Sequence, residues 1–295
     1  MYLNRAVQTK PGQLIGRQQR PHLLEASFLW MLTVITLFPF GLNAQSVSST
    51  GGTGQSIWFN YFGDHPVTDH LSIHMEGSYR RTLQFEQFEQ FYVRPGITVI
   101  ESPRWQSLLA YTYQFSEPTA DGSFGPAPIA PRLPEHRALE QQIFQHRIIG
   151  DGNRAITLAH RFRMEQRWQG TEIQGRGVAN WNFSERARYR LTLHVPIGAA
   201  PEPAYYVTAF NEVYTGFGPH GGKQPFYADV TYAALGIKMD KFYSIELGYQ
   251  HRLLAQPGGI TGTSDDSIQI FLLSNLPFRR GTRQPSIAGN GVERR

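Results

Sequence analysis

Ala155–Trp168 reads AITLAHRFRMEQRW, and the fold class turns on the conformation of this stretch. Every second residue gives two sets. Ile156, Leu158, His160, Phe162, Met164, Gln166 and Trp168 form one; Ala155, Thr157, Ala159, Arg161, Arg163, Glu165 and Arg167 form the other. A β-strand sends successive side chains to opposite faces. As a strand, this segment has one mostly apolar face and one bearing three arginines and a glutamate. Wound as a helix, it scatters the same charges at about 200° steps and keeps no apolar stripe. The spacing predicts a long strand. A soluble sandwich packs the apolar face inward. A membrane barrel turns that face to lipid and its charges into a wet lumen.

The same alternation recurs along the chain. In His70–Arg81, Leu71, Ile73, Met75, Gly77 and Tyr79 oppose Ser72, His74, Glu76, Ser78 and Arg80. Phe88–Ile100, Trp105–Phe115, Glu135–Ile149, Ala187–Val195, Tyr205–Phe217, Phe226–Met239, Phe242–Leu254 and Ser267–Phe278 follow, and Ile57–Phe62 is a short aromatic strand ahead of them. Many of these run 11–15 residues. Strands of globular sheets average about 5–6 residues, whereas a tilted bilayer crossing takes about 9–11. No segment past residue 44 has the spacing of an amphipathic helix. Without spanning helices, a chain crosses a bilayer only as a closed barrel.

Long and short connections alternate when counted back from Phe278, as in bacterial barrels with long external loops and short periplasmic turns. The count reaches the first strand from the wrong side for an even-stranded barrel. Treating Val178–Phe183 as a separate strand makes about 12 strands, and denying Ile57–Phe62 a full crossing makes about ten. The expectation is a single all-β, antiparallel up-and-down transmembrane barrel of about 12 strands, within a range of 10–12.

The N-terminus carries an address. A basic stretch to Arg20 precedes the apolar run Ala26–Phe40, and Gly41-Leu42-Asn43-Ala44 then supplies small residues for cleavage. That order is a secretory signal, and the run is shorter than the about 20 residues of a spanning helix. The expected organisation is a signal peptide over 1–44, a flexible leader over 45–55, a barrel over 56–278 and a disordered basic tail over 279–295. Formal charge is +5, of which the first 44 residues hold +3. The small remainder argues against a nucleic-acid partner. The chain contains no cysteine, which excludes disulfides and thiolate metal sites.

Several motifs resemble one bacterial family. They are WFNYFG at Trp58–Gly63, Arg94-Pro95-Gly96, Glu135-His136-Arg137 with Gln141-Gln142, the run His160–Arg167, the run Arg186–Leu191, Asn211-Glu212-Val213 and Glu246-Leu247-Gly248-Tyr249. Together they resemble the proteins of domain of unknown function 2490, over about Trp58–Phe278. The family's Asn-Arg ahead of a Gly-Leu-Gly-like strand stands here as Ala228-Asp229 and Leu235-Gly236. The resemblance implies an outer-membrane β-barrel in a Gram-negative bacterium, and no particular chemistry.

Candidate chemistry centres on the charged face. Arg161, Arg163, Arg167, Arg188 and Arg190, with Glu165, Glu140, Glu212 and Glu246 opposite, are expected to share the lumen. Arginine pairs carboxylates bidentately, so the set reads as a salt-bridge network filling a narrow barrel, or as a ladder selecting anions. His70 and His74 stand about 13 Å apart on a strand, too far for one ion. No metal or cofactor is expected. Ser72 and His74 share a polar face, but no GxSxG elbow exists and no catalytic set is expected. Aromatics near strand ends, including Trp58, Phe62, Trp105, Trp168, Tyr205 and Tyr206, are expected in interfacial girdles. Phe278 is placed as the terminal aromatic of the last strand. The functional expectation is an outer-membrane barrel, structural or a narrow pore, partnered by outer-membrane lipid and the barrel-assembly machinery. A soluble periplasmic barrel binding an apolar ligand and a lipid-modifying barrel enzyme are the alternatives.

Overall fold

A computed structural model describes residues 48–117, 133–173, 177–197, 204–217, 228–255 and 261–278. The expected signal peptide and basic tail lie outside these residues. The strands are β1 (Ser48–Pro66), β2 (Leu71–Thr82), β3 (Phe88–Ser102), β4 (Trp105–Ser116), β5 (Leu133–Ile149), β6 (Ile156–Ile173), β7 (Gly177–Ile197), β8 (Ala204–Phe217), β9 (Ala228–Lys238), β10 (Tyr243–Ala255) and β11 (Thr261–Ser274). Among the described residues a single 3₁₀ turn, Gly152–Arg154, sits between β5 and β6. Each strand pairs with its sequence neighbours, and β1 pairs with β11, so the sheet is a closed barrel of 11 strands.

The odd number decides how the barrel closes. Every hairpin reverses chain direction, so the first and last of 11 strands run the same way. The β1–β11 pair is accordingly parallel, in register from Gln55 opposite Asp266 to Gly63 opposite Ser274. All other neighbours are antiparallel. Eleven strands fall within the expected range of 10–12, and the parallel closing pair corrects the expectation of an antiparallel barrel throughout. Val178–Phe183 is not a separate strand; it lies inside the continuous 21-residue β7. Ile57–Phe62 is the middle of a 19-residue β1. That strand reaches back to Ser48, into the segment expected to be a flexible leader. Its Ser/Thr/Gly tract pairs through main-chain groups, which need no apolar side chain. The alternation of loop lengths already pointed to an odd count, and the even-strand rule displaced it. The last strand also ends early: β11 stops at Ser274, and Phe278 lies beyond it, its N–H bonded to the Pro66 carbonyl at 3.1 Å.

The two faces of Ala155–Trp168 separate as their chemistry requires. Arg163, Glu165 and Arg167 are buried inside the barrel, while Ile156, Leu158, Phe162 and Met164 lie on the outer surface, half-exposed. Elsewhere on that surface Leu109 is 63% and Leu247 58% exposed, with Ile97, Leu235 and Ile268 also open. The buried set is dominated by Ser, Gln, Thr, Glu and Arg. Soluble proteins bury apolar groups and expose polar ones; this barrel does the reverse. Buried apolar side chains are confined to small groups, such as Leu108, Ala110 and Leu139 on β4–β5 and Val230, Tyr232 and Ala234 on β9. Among the expected girdle aromatics, Trp58 and Tyr206 are buried instead, because they fall on inward positions of their strands.

Two inward glycines make room for rings from the neighbouring strand. A Cβ on Gly236 collides with the Tyr206 ring, and one on Gly248 with the Tyr232 ring. Each tyrosine therefore lies flat across a strand that offers no side chain at that point. Gly248→Val is expected to destabilise the folded barrel by about 1–3 kcal/mol through overpacking. A denaturation midpoint equal to that of the parent, measured in detergent, would show that the ring is not seated there.

Candidate functional site

The cross-strand register creates a problem inside the lumen. Arg161 stands opposite Arg190, and Arg163 opposite Arg188. Like charges directly opposed on a sheet repel. Glu165 opposite Arg186 and Glu212 opposite Arg190 bring carboxylates into the same rows. Both glutamates are 0% exposed.

Glu212 on β8 is the densest node. It accepts bonds from Arg188 Nε at 2.9 Å and Nη2 at 2.8 Å, from Arg161 Nη2 at 2.6 Å, and from Arg190 Nη2 at 2.7 Å. Glu165 on β6 takes Arg186 Nε at 2.8 Å and Arg188 Nη1 at 3.0 Å. Arg188 thus bridges the two carboxylates. Glu135 on β5 holds Arg167, with Nη2 at 3.0 Å, and also Arg137. On the far side of the barrel Glu76 of β2 holds Arg94 of β3, and His74 Nε2 lies 3.2 Å from it.

Arg163 connects these groups. Its Nε and Nη2 donate to Gln141 Oε1 at 2.8 and 2.6 Å. Its Nη2 also lies 3.6 Å from Glu76 and its Nη1 3.8 Å from Glu165. Strands β6 and β2 are separated by three others on one side of the sheet and by six on the other. The Arg163–Glu76 contact therefore crosses the lumen and links its opposite walls. Barrels of this size have interiors that side chains can fill, and here the filling is a charged lattice.

The sequence-derived set is mostly brought together. Arg161, Arg163, Glu165, Arg167, Arg188, Arg190 and Glu212 all join the lattice. Glu246 points inward but sits apart, accepting from Tyr232 Oη at 3.3 Å and Thr208 Oγ1 at 3.5 Å. Glu140 is not a lumen residue: it is exposed on the outer face of β5, because it alternates with the inward Leu139 and Gln141. The sequence reading missed Glu76, Arg94, Glu135, Arg137 and Arg186 as members. All of them lie on polar faces of alternating strands, so the signal was present; their partners are set by the cross-strand register, which puts Glu76 opposite Arg94, Arg137 opposite Arg167 and Glu165 opposite Arg186. Ser72 and His74 do not bond each other, since His74 is held between Asp64 at 2.9 Å and Glu76. Among the described residues no group of three or more His, Asp or Glu side chains is placed to hold a metal.

Each lattice carboxylate is shared by more than one cation, so the arginines outnumber the acids that hold them. Removing a node leaves buried charges uncompensated. Glu212→Gln is expected to cost about 3–5 kcal/mol, because three guanidinium groups lose their common partner. Glu246→Gln is expected to cost about 1–2 kcal/mol, its partners being neutral hydroxyls. Equal shifts in the denaturation midpoints of the two variants would contradict this ranking.

No curated protein and no solved structure matches the chain. A family model does: that described as "Protein of unknown function (DUF2490)" matches residues 55–263, from the middle of β1 into β11. With most of the barrel covered by that match, the chain belongs to the domain of unknown function 2490 family.

Proposed function

We propose that this protein is an exported outer-membrane β-barrel whose lumen is closed by its arginine–carboxylate lattice. It serves as a structural element of the membrane rather than as an open channel. The observation that carries the reading is the inverted burial: aliphatic and aromatic side chains outside, arginines and carboxylates inside. A bilayer lowers the free energy of such an outer surface, at about 25 cal/mol per Å² of apolar area removed from water. In water the same surface is an aggregation liability. Strands of 11 to 21 residues support the same reading, being long enough for a tilted crossing. Outer-membrane lipid and the barrel-assembly machinery are the partners this reading requires. No enzymatic step is assigned. The alternative of a soluble periplasmic barrel holding an apolar ligand is disfavoured by an interior lined with charge.

A lattice that links opposite walls supports a non-conducting state, and Arg163 is its cross-lumen member. Purified protein in planar bilayers is expected to pass no steady current. Arg163→Ala is expected to open an anion-preferring conductance, since the remaining arginines line the freed space. The folded protein is expected in the detergent-extracted membrane fraction, with faster gel migration before boiling than after. Recovery in the soluble periplasm without detergent would sink the membrane assignment. An unaltered current in Arg163→Ala would sink the role given to the lattice.

A further inference from the structure

The lattice leaves a cavity of about 210 Å³ in the lumen, and its walls differ in character. One wall, formed by β2, β3, β5, β6 and β7, is lined by arginines, Arg80, Arg94, Arg161, Arg163 and Arg188 among them. The other, on β1, β8, β10 and β11, presents Trp58, Phe210, Leu254 and Phe271, interspersed with Asn60, Gln250, Arg252 and Gln269. Glu76 is the one carboxylate in contact with the space. The other lattice acids, Glu135, Glu165 and Glu212, sit behind their arginines.

Several donors on the arginine wall are not used up by the lattice. Arg80 Nε and Arg161 Nε are buried without a hydrogen-bond partner. Arg163 spends its two short bonds on the neutral Gln141. The Arg80 guanidinium lies 3.2 Å over the Trp58 ring. A guanidinium stacked this way has one face covered, and its N–H groups radiate from the edge in the plane of the group. Buried donors without acceptors are costly, and an anion that reaches them removes that cost. Carboxylates fit the guanidinium edge with two parallel bonds. An apolar cavity of about 150 Å³ accommodates benzene, so this space suits a ring bearing a carboxylate.

We propose that the lumen cavity is a binding site for a small organic anion with a planar apolar body, an aromatic carboxylate being the reference chemistry. The carboxylate takes the edge of Arg80, and the ring lies against Phe271, since the Phe210 ring is already covered by the Arg190 guanidinium at 3.7 Å. The site rests on the closed lumen and is independent of the bilayer, so it can fail while the proposed function stands.

Isothermal titration of the detergent-folded mature chain tests it. Benzoate is expected to bind saturably, with benzamide at least tenfold weaker because it lacks the charge. Arg80→Gln is expected to weaken benzoate at least tenfold while the heat-dependent gel shift is kept. Arg80→Lys, which retains charge but loses the planar fork, is expected to fall between. If Arg80→Gln does not fold, Arg80→Lys carries the comparison. Arg147→Gln, at the exposed end of β5, is expected to bind as the parent does. Octanoate tests the planar body: benzoate is expected to bind more tightly, and tighter octanoate overturns the requirement for a ring. The site is overturned if folded protein takes up no benzoate, if benzamide binds equally, or if both Arg80 variants match the parent. Inorganic phosphate binding as tightly as benzoate overturns the role of the apolar wall.

Discussion

The main-chain hydrogen bonds between β1 and β11 close the sheet, and the rest of the molecule follows from that closure. An open sheet of ten hairpin-linked strands and one more would leave two edges of unpaired N–H and C=O groups. In a bilayer such edges find no water, and each unsatisfied group is costly. Closure removes both edges at once. Because 11 is odd, it does so through a parallel pair, the one such pair in the barrel. Once closed, every strand has a defined inside and outside, and a shift of one residue in any register would exchange the two.

The lumen lattice is a consequence of that geometry. Placing Arg161 opposite Arg190 and Arg163 opposite Arg188 is unfavourable in an isolated hairpin. Pairing with β8 places Glu212 directly opposite Arg190, the curvature of the barrel brings Glu76 of β2 to Arg163, and repulsion becomes a network of shared carboxylates. Buried ion pairs add little net stability but are expensive to break. The lattice is therefore better regarded as specifying register and closing the lumen than as the source of the fold's stability. Its incomplete neutralisation around Arg80 leaves the lumen receptive to an added anion.

Strand-level structure was legible in the sequence because a strand's two-residue period writes itself directly into the order of side chains. The alternation at Leu71–Arg80 and at Ile156–Arg167 locates both faces correctly. The Ser48–Gln55 part of β1 was not legible, since Ser, Thr and Gly carry no apolar alternation and the segment is held by main-chain bonds to β11. Glu140 was assigned to the lumen on charge alone, although its parity with Gln141 contradicts that. Trp58, Phe62 and Tyr206 were given to the girdle for lying near strand ends, whereas their parity sends them inward.

Sequence alone determined that the chain is all-β, that its strands are long and two-faced, and that arginines and carboxylates share one face. These are local properties, set by the alternation of side chains along an extended backbone. Only the tertiary structure decided the strand count, the parallel closure and the partners of each charge. Those depend on how far the sheet curves before β1 meets β11, and no single strand carries that information. The contact of Arg163 with Glu76 shows the difference: 87 positions separate the two residues in the chain, and only closure sets their side chains 3.6 Å apart across the lumen.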